Sequence, residues 1–413
     1  MDFEDTQEEA EFRAEASTWL KANGVPKQSD QTLAVRRGDP SIVPLAKEWQ
    51  RKKYDGGFAG IALPKEYGGR GGTRLQQVIF SQEESKFAVP PNIFSISHGM
   101  AVPTLLTYAT EAQKQQYVQA TLKGDEIWCQ LFSEPGAGSD LAGLRTRSER
   151  DGDDWVINGQ KIWTSGAHYA DRAILVTRSD PTAVKHKGLT YFFLDMKTPG
   201  IDVRPIRQIS GYSGFNEVFL TDVRIPDSQR LGEVGEGWQV AITTLMNERV
   251  ASGDRPPPNF EEIFALAQQL DTEDGPAIED KAVRDRLAKW YVQTRGLELI
   301  RMRSMTAMSR GERPGPENSI GKLVASFKRQ EIALFGMDLM DMGGVMQDPS
   351  STPMSALFQN AYLESPGSRI AAGTDETLRN ILAERVLNLP RDVRVDKDIP
   401  FNEMRAGTVR SGD

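Results

Sequence analysis

The chain has 413 residues, of which 38% are hydrophobic and 26% are charged, and its formal net charge at pH 7 is −8. This composition predicts a folded protein of two or three domains, and the acidic balance excludes nucleic acid as its main partner, because phosphate binding needs a basic surface. The single cysteine predicts a cytoplasmic protein without a disulfide, and neither a metal site nor a membrane span is expected from three scattered histidines and short apolar runs.

Residues 1–123 are predicted to form an N-terminal helical domain. The segment Thr6–Glu9 has the capping-box form, and an amphipathic pattern follows it as far as Gly24. Further helices are predicted over 41–54, 75–87 and 102–121. The glycine-rich stretch at 63–72 has no strand before it and no helix directly after it, so we assign it no phosphate-binding role.

Residues 124–236 are predicted to form a middle β-barrel domain. Five runs rich in β-branched and aromatic residues occur here, namely WCQLFS, DWVING, AILVTR, LTYFFLDM and NEVFLTDV. The dipeptide Asn158-Gly159 is typical of tight hairpin turns, so we expect a hairpin there. A compact barrel fits short strands in a segment of this length.

Residues 237–413 are predicted to form a C-terminal helical domain. Helices are expected over 281–309, 319–342 and 376–389. Proline-rich stretches at 254–262 and 312–318 interrupt the helical pattern. The order of helices, strands and helices predicts an α+β fold.

One predicted helix carries two charged residues on its apolar stripe. In the segment 237–253, four apolar residues recur at helical spacing, namely Trp238, Ala241, Ile242 and Leu245. Glu248 and Arg249 continue that stripe, so both are expected to be partly buried. A partly desolvated carboxylate has a raised pKa that suits a general base, although a buried Glu–Arg ion pair is the other interpretation.

Four motifs together resemble the acyl-CoA dehydrogenase family. They are WCQLFSEPGAGSD at 128–140, NGQKIWTSGAHYAD at 158–171, NEVFLTDVRIP at 216–226 and AGTDETLRNILAERVLNLP at 372–390. The motifs occur in the family's order and span most of the chain. The resemblance implies the acyl-CoA dehydrogenase fold, with an N-terminal helical domain, a middle β-barrel and a C-terminal four-helix bundle, and with FAD between the barrel and the bundle.

The resemblance also implies the reaction and its partners. In this family, a carboxylate removes the α-proton of an acyl-CoA thioester while the β-hydrogen leaves as hydride to the flavin, which gives the trans-2-enoyl-CoA. Electrons then pass to an electron-transfer flavoprotein. The members are dimers or tetramers of one or two kinds of chain, and they act in fatty acid or lipid catabolism, including β-oxidation. A flavin oxidase or monooxygenase on the same fold is an alternative, and so is a non-catalytic subunit.

The motif matches assign roles to individual residues. The positions matching FAD contacts are Gln130, Phe132, Ser133, Trp163, Thr164, Ser165, Gly343, Thr374 and Glu376. The positions matching substrate contacts are Ser139 and Arg249. Each residue also has a plainer structural interpretation as a strand, core, turn or helix-capping residue.

The family's catalytic glutamate has two known positions. Ala372 occupies the more common one, but relatives resembling isovaleryl-CoA dehydrogenase carry the glutamate on the first C-terminal helix, where Glu248 matches it. We therefore expect Glu248 to be the base and the backbone N–H of Ala372 to bind the thioester oxygen. The small side chains of Ala371 and Ala372 predict room for a branched or bulky acyl group.

Two positions depart from the family pattern. The stretch DRPPPNFEEIF, at 254–264, replaces the usual RxxFG segment, and Met340 replaces the glutamine ahead of Gly343-Gly344. Both departures concern the adenosine and pyrophosphate end of FAD. Either this chain binds that end differently, or a different subunit supplies the contacts.

Overall fold

A computed structural model describes residues 5–27, 39–251, 257–273, 275–309, 315–391 and 398–404. These residues fall into two compact units. The larger unit comprises the described residues up to 251 together with 398–404, and the smaller unit comprises the described residues from 257 to 391. The domain limits at 123/124 and 236/237 stay predictions.

The larger unit begins with six helices. They are α1 Gln7–Asn23, α2 Ile42–Asp55, α3 Arg74–Glu84, α4 Val102–Tyr108, α5 Glu111–Gln113 and α6 Gln119–Lys123. The capping box that opens α1 is present, since the Thr6 hydroxyl accepts from the Glu9 N–H at 3.3 Å and the Glu9 carboxylate accepts from the Thr6 N–H at 2.8 Å. Aromatic packing around Phe58 and Phe80 joins α1 to α3.

The single helix predicted over 102–121 is wrong. The backbone of Ala109 is extended, and a second capping box starts a new helix at Thr110, whose hydroxyl accepts from the Gln113 N–H at 3.3 Å. The capping box satisfies N–H groups in the first turn of the new helix, and this favours a helix break at Ala109 over one continuous helix. The pattern Thr-x-x-Gln is visible in the sequence, so this boundary could have been predicted.

Eight strands follow and form one sheet. They are β1 Trp128–Leu131, β2 Arg147–Asp151, β3 Asp154–Ser165, β4 Arg172–Arg178, β5 Leu189–Asp195, β6 Ile201–Ile206, β7 Phe215–Pro226 and β8 Arg230–Leu231. The order is β6-β7-β3-β2-β4-β5-β8, with β1 parallel to β4. Residues of β3 and β7, such as Trp155 and Val223, share one buried core with Leu175 and Phe192 of β4 and β5. The sheet therefore curls around this core, and its other face packs on the helices.

The predicted hairpin at Asn158-Gly159 is also wrong. Both residues lie inside the long strand β3, and the chain turns earlier, between Asp151 and Asp154. A β-carbon at Gly159 would come within 2.8 Å of three atoms of Thr146, so glycine is required there by a close approach and not by a turn. The pairing of β3 with β7 shifts register at this point.

Helix α7, Gly237–Ala251, completes the larger unit and packs on β5 and α4. The smaller unit contains α8 Phe260–Gln269, the short strands β9 Asp271–Thr272 and β10 Gly275–Pro276, α9 Lys281–Ser309, α10 Ser319–Leu339, α11 Leu357–Ile370 and α12 Asp375–Arg385. Helix α10 packs against the other four helices of this unit. Gly336 permits the contact of α10 with α11, since a β-carbon there would lie 2.3 Å from the ring of Phe358 on α11.

Helices α8 and α11 were absent from the sequence prediction. Helix α8 begins at the end of the proline-rich stretch, where Asn259 and Glu262 form a capping box. Helix α11 contains Pro366 near its end, which weakens its sequence signal. Within the described ranges, no helix has the length and apolarity needed to cross a membrane.

Candidate active site

The motif at 128–140 leads from β1 into a loop that a buried ion pair holds in place. Lys161, which is fully buried on β3, donates to the Glu134 carboxylate at 2.8 Å and to the Phe132 carbonyl at 3.1 Å. The same carboxylate accepts from the backbone N–H groups of Arg145 at 2.6 Å and Thr146 at 2.9 Å. One buried carboxylate thereby joins both ends of the loop between β1 and β2 to the sheet.

The pKa values of this pair reflect burial and mutual attraction. Burial by itself raises the pKa of Glu134, but Lys161 and the hydrogen bonds from Thr146 and Arg145 outweigh it and leave the pKa below its usual value. Burial lowers the pKa of Lys161 in spite of Glu134. Both groups are held as an ion pair because breaking either partner would leave a charge buried alone.

The first three residues matching FAD contacts lie where β1 ends. Gln130 is half-buried on β1, and Phe132 is buried edge-on against Tyr191, with ring centroids 5.8 Å apart. The Ser133 carbonyl accepts from the Ile162 N–H at 2.9 Å. This hydrogen bond places Ser133 beside the stretch of β3 that carries the next three residues.

Trp163 and Thr164 on β3 have an unusual backbone conformation and an unsatisfied hydroxyl, respectively. Trp163 is 55% exposed and has a φ of 60°, a left-handed conformation that bulky residues rarely adopt. Its ring lies edge-on to Phe215, with centroids 6.0 Å apart. Thr164 is buried, and its hydroxyl has no hydrogen-bond partner within the described residues. Strained backbone beside an unsatisfied buried hydroxyl is typical of a site shaped for a ligand.

Two further predicted residues of the larger unit have exposed side chains. Ser165 is exposed at the end of β3, and Ser139 is exposed in the loop after Glu134. Next to Ser139, Asp140 pairs with Lys185 across 2.7 Å, so this loop is tied to the turn between β4 and β5.

Helix α7 carries Glu248 and Arg249, but their side chains lie outside the described residues. The apolar stripe predicted for this helix is partly wrong, because Ile242 is 37% exposed while Thr244 is fully buried. The Thr244 hydroxyl is within hydrogen-bonding distance of the hydroxyls of Thr104, at 2.8 Å, and Tyr191, at 2.9 Å. A threonine with such partners is buried as readily as an aliphatic residue, and hydrophobicity alone missed it.

The remaining predicted residues belong to the smaller unit. Ala372 is exposed in the turn between α11 and α12 and has a φ of 54°. In the described part of the chain, no hydrogen bond is found from its N–H. Lys322 on α10 donates to the carbonyls of Arg369, at 3.2 Å, and Gly373, at 2.6 Å, and so holds this turn on both sides of Ala372.

Helix α12 starts immediately after this turn. Thr374 is its N-cap and accepts from the Thr377 N–H at 3.2 Å. Asp375 is buried against Arg369 at 2.7 Å, while its second oxygen has no partner among the described residues. Glu376 is exposed, and hydrogen bonds from its own N–H and from Thr374 lower its pKa. A pocket of about 260 Å³ lies here, lined by Gln330, Pro366, Arg369, Ile370, Thr374, Asp375 and Glu376.

The structure thus groups most of the predicted residues into two clusters. One cluster lies at the ends of β1 and β3, and the other at the turn before α12. Gly343 lies in a short 3₁₀ turn of the smaller unit, where its carbonyl accepts from Gln359 at 3.2 Å. The sequence reasoning missed Glu134, Lys161 and Lys322. Lys161 carried a usable signal, because it lies at even spacing from the core residues Trp155 and Ile157 of β3 and therefore faces inward with them.

Three family models match the chain in order. They are described as "Acyl-CoA dehydrogenase, N-terminal domain", at residues 6–125, "Acyl-CoA dehydrogenase, middle domain", at 129–223, and "Acyl-CoA dehydrogenase, C-terminal domain", at 235–387. The chain is 34% identical over 398 residues to the acyl-CoA dehydrogenase IpdE1 of Mycolicibacterium smegmatis, which covers 93% of this chain and 98% of that protein. The chain therefore belongs to the acyl-CoA dehydrogenase family, and the predicted fold class is confirmed.

A second relative and a solved structure agree with this assignment. The chain is 39% identical over 362 residues to acyl-CoA dehydrogenase FadE34 of Mycobacterium tuberculosis, covering 87% of this chain but 48% of FadE34, so it spans about half of that relative's length. The structure named "Tcur3481-Tcur3483 steroid ACAD" has 27% identity and a TM-score of 0.78, with 95% of this chain and 100% of that chain covered. The predicted enzyme class, an oxidoreductase acting on acyl-CoA, is confirmed.

Members of this family are flavoproteins. The residues at the end of β3 fit a flavin on two structural grounds. The exposed indole of Trp163 offers a flat apolar surface for a planar ring, and the Thr164 hydroxyl needs a partner that the described residues do not supply.

Proposed function

We propose that this chain catalyses FAD-dependent α,β-dehydrogenation of an acyl-CoA thioester to the trans-2-enoyl-CoA. The observation that carries the proposal is the conformation of Trp163, an exposed tryptophan in a left-handed backbone next to an unsatisfied buried hydroxyl. Such strain persists only where the surrounding structure enforces it, and it is concentrated at functional sites. Bound FAD would supply the hydride acceptor for the β-hydrogen.

The chain's own residues would supply the proton chemistry and the binding groups. Glu248 would take the α-proton as the general base. The Ala372 N–H would donate to the thioester oxygen, and a backbone N–H with no acceptor among the described residues is suited to that role. Ser139 and Arg249 would contact the CoA part of the substrate. Gln130, whose strand ends at this cluster, would contact FAD together with the other matched positions.

The FAD assignment predicts that one substitution lowers FAD affinity without lowering the stability of the apoprotein. Thr164→Val removes a buried hydroxyl that has no partner among the described residues, so the apoprotein should not lose stability. Its FAD affinity should fall by roughly ten-fold, since one hydrogen bond to the cofactor is lost. The measurements are urea denaturation of the apoprotein and flavin fluorescence titration.

Thr146→Val is a matched control for this experiment. The Thr146 hydroxyl is likewise buried and without a partner in the described ranges, but its position matches no FAD contact. Its substitution should leave FAD affinity unchanged. Equal FAD affinity of Thr164→Val and the wild type would contradict the assignment of Thr164.

We also propose a bulky or branched acyl substrate, of the steroid type. Two observations support this proposal, namely the small exposed residues Ala371 and Ala372 and the similarity to a structure named as a steroid ACAD. Against a panel of straight-chain, branched and steroid acyl-CoAs, kcat/KM should be at least about ten-fold higher for the bulky members. Ala371 has an ordinary extended φ of −61°, so Ala371→Leu is tolerated by the backbone and should reduce that preference selectively. Equal turnover across the panel would count against the proposal.

The proposed electron acceptor is an electron-transfer flavoprotein, and the proposed state is a homo- or hetero-oligomer in the cytoplasm. A second subunit would explain how the adenosine end of FAD is held without the RxxFG segment. The name "Tcur3481-Tcur3483 steroid ACAD" joins two designations, which supports a two-chain assembly. The buried free Cys129 is consistent with a reducing compartment.

One alternative is favoured by a specific observation. Ala372 and the missing RxxFG segment would also be expected in a non-catalytic subunit that has lost part of its FAD site. The visible spectrum of the purified chain distinguishes the two functions. A folded chain that stays colourless when FAD is added would support the non-catalytic subunit.

A further inference from the structure

The segment 398–404 packs against the larger unit beside the loop that carries Ser139. Pro400 forms an isolated bridge with Val184, and the Phe401 N–H donates to the Ala183 carbonyl at 3.0 Å. These contacts place the Phe401 ring over the Arg178 guanidinium, which lies 3.5 Å from the ring centroid. This distance is well inside the range of a cation–π contact.

Arg178, which this ring covers, is buried and binds three backbone carbonyls. Its side chain is 4% exposed, and its guanidinium donates to the carbonyls of Leu144 at 3.1 Å, Ala142 at 2.5 Å and Lys185 at 3.1 Å. Across the described ranges, no carboxylate forms a salt bridge with it. Its charge is offset by carbonyl dipoles, by the aromatic face and by the attraction of Glu134, Asp140 and Asp180, and removing that face would expose it to water.

The carbonyls that Arg178 holds belong to the loop that follows Ser139. Ala142 and Leu144 lie three and five positions after Ser139. The start of the same loop is tied down by the pairing of Asp140 with Lys185. Since Arg178 also binds the Lys185 carbonyl, one guanidinium fixes both sides of the loop relative to each other.

We infer that Phe401 is a positioning residue for acyl-CoA binding, which acts by covering Arg178 and so keeping the loop after Ser139 in its binding conformation. The inference rests on the proposed function, because Ser139 is taken to contact CoA. A loop that is already ordered binds its ligand without a further entropic cost, so loss of the cover should weaken binding. The groups at the reacting carbons are untouched, so the chemical step should keep its rate.

Steady-state kinetics of the full-length holoenzyme test this inference. Phe401→Ala should raise KM for the best acyl-CoA of the panel by roughly ten-fold, the effect of losing one desolvated cation–π contact, with kcat within about two-fold of the wild type. Phe401→Tyr keeps an aromatic face and should restore KM. Ile399→Ala, which truncates an exposed apolar residue of the same segment, is the matched control and should behave as the wild type.

Hydrogen exchange of the loop is a second readout that does not require turnover. The amides of residues 138–146 should exchange faster in Phe401→Ala than in Ile399→Ala. An unchanged KM in Phe401→Ala would overturn the inference whatever the exchange rates, and so would failure of Phe401→Tyr to restore KM. If the wild type turns over no acyl-CoA, the proposed function fails. In that case the exchange experiment still tests Phe401, because equal amide exchange rates in Phe401→Ala and Ile399→Ala would refute its role in ordering the loop.

Discussion

Replacement of Glu248 by glutamine is expected to lower the rate of substrate-dependent flavin reduction by about 10²–10⁴-fold, while FAD remains bound. Glutamine has nearly the same shape as glutamate but cannot accept the α-proton. Residue 248 follows the buried Thr244 by one turn of α7, and the hydroxyl contacts of Thr244 with Thr104 and Tyr191 fix the rotation of that helix. The measurement is anaerobic stopped-flow bleaching of the flavin absorbance after mixing with acyl-CoA.

Glu236→Gln provides the matched control for that variant. Glu236 is exposed just before α7, so the same chemical change there should leave the bleaching rate unaltered. Bleaching of Glu248→Gln at the wild-type rate would show that the base lies elsewhere. Loss of FAD from Glu248→Gln would instead indicate a structural role for this residue, because a general base acts without contributing to cofactor retention.

The sequence predicted the fold class because its strongest signals are local. Long helices such as α9 have unbroken helical patterns, and the aliphatic run of β4 and the aromatic run of β5 are buried on both faces. The errors arose where tertiary contacts override local preference. Gly159 reads as a turn residue but serves a close approach to Thr146, and Thr244 reads as polar but is buried by partners from two other elements.

The candidate site was predictable by type and position but not by conformation. Matching motifs indicated Trp163 and Thr164, yet neither the left-handed backbone of the one nor the unsatisfied hydroxyl of the other follows from spacing. Trp163 lies where β3 shifts its register against β7, between Lys161 and Thr164. Lys161, at the start of this shift, has a buried partner that is remote in sequence.

We expect the largest loss of stability when that partner, Glu134, is replaced. Glu134→Gln should lower the free energy of unfolding by about 3–5 kcal/mol, because it leaves the ammonium of Lys161 buried without its counter-charge. The double variant Glu134→Gln/Lys161→Met should recover part of this loss, since it removes the stranded charge together with its partner. Urea denaturation near neutral pH measures the free energy of unfolding of the wild type, the single variant and the double variant.

An exposed ion pair provides the control for Glu134→Gln, and the pKa of Glu134 determines how the stability loss changes with pH. Asp151→Asn breaks the surface pair with Arg224, whose 2.7 Å contact lies in solvent, and should lower the free energy of unfolding far less than Glu134→Gln does. The folded-state pKa of Glu134 lies below its usual 4.5, so its contribution is complete above that pH and is lost as the pH falls through the folded value. The gap in stability between the wild type and Glu134→Gln should therefore narrow below about pH 4.5. A stability loss no larger than that of Asp151→Asn would contradict this prediction, and so would a gap that widens on acidification. Either result would mean that the loop with the predicted FAD and substrate contacts is held by its backbone hydrogen bonds and not by this charge.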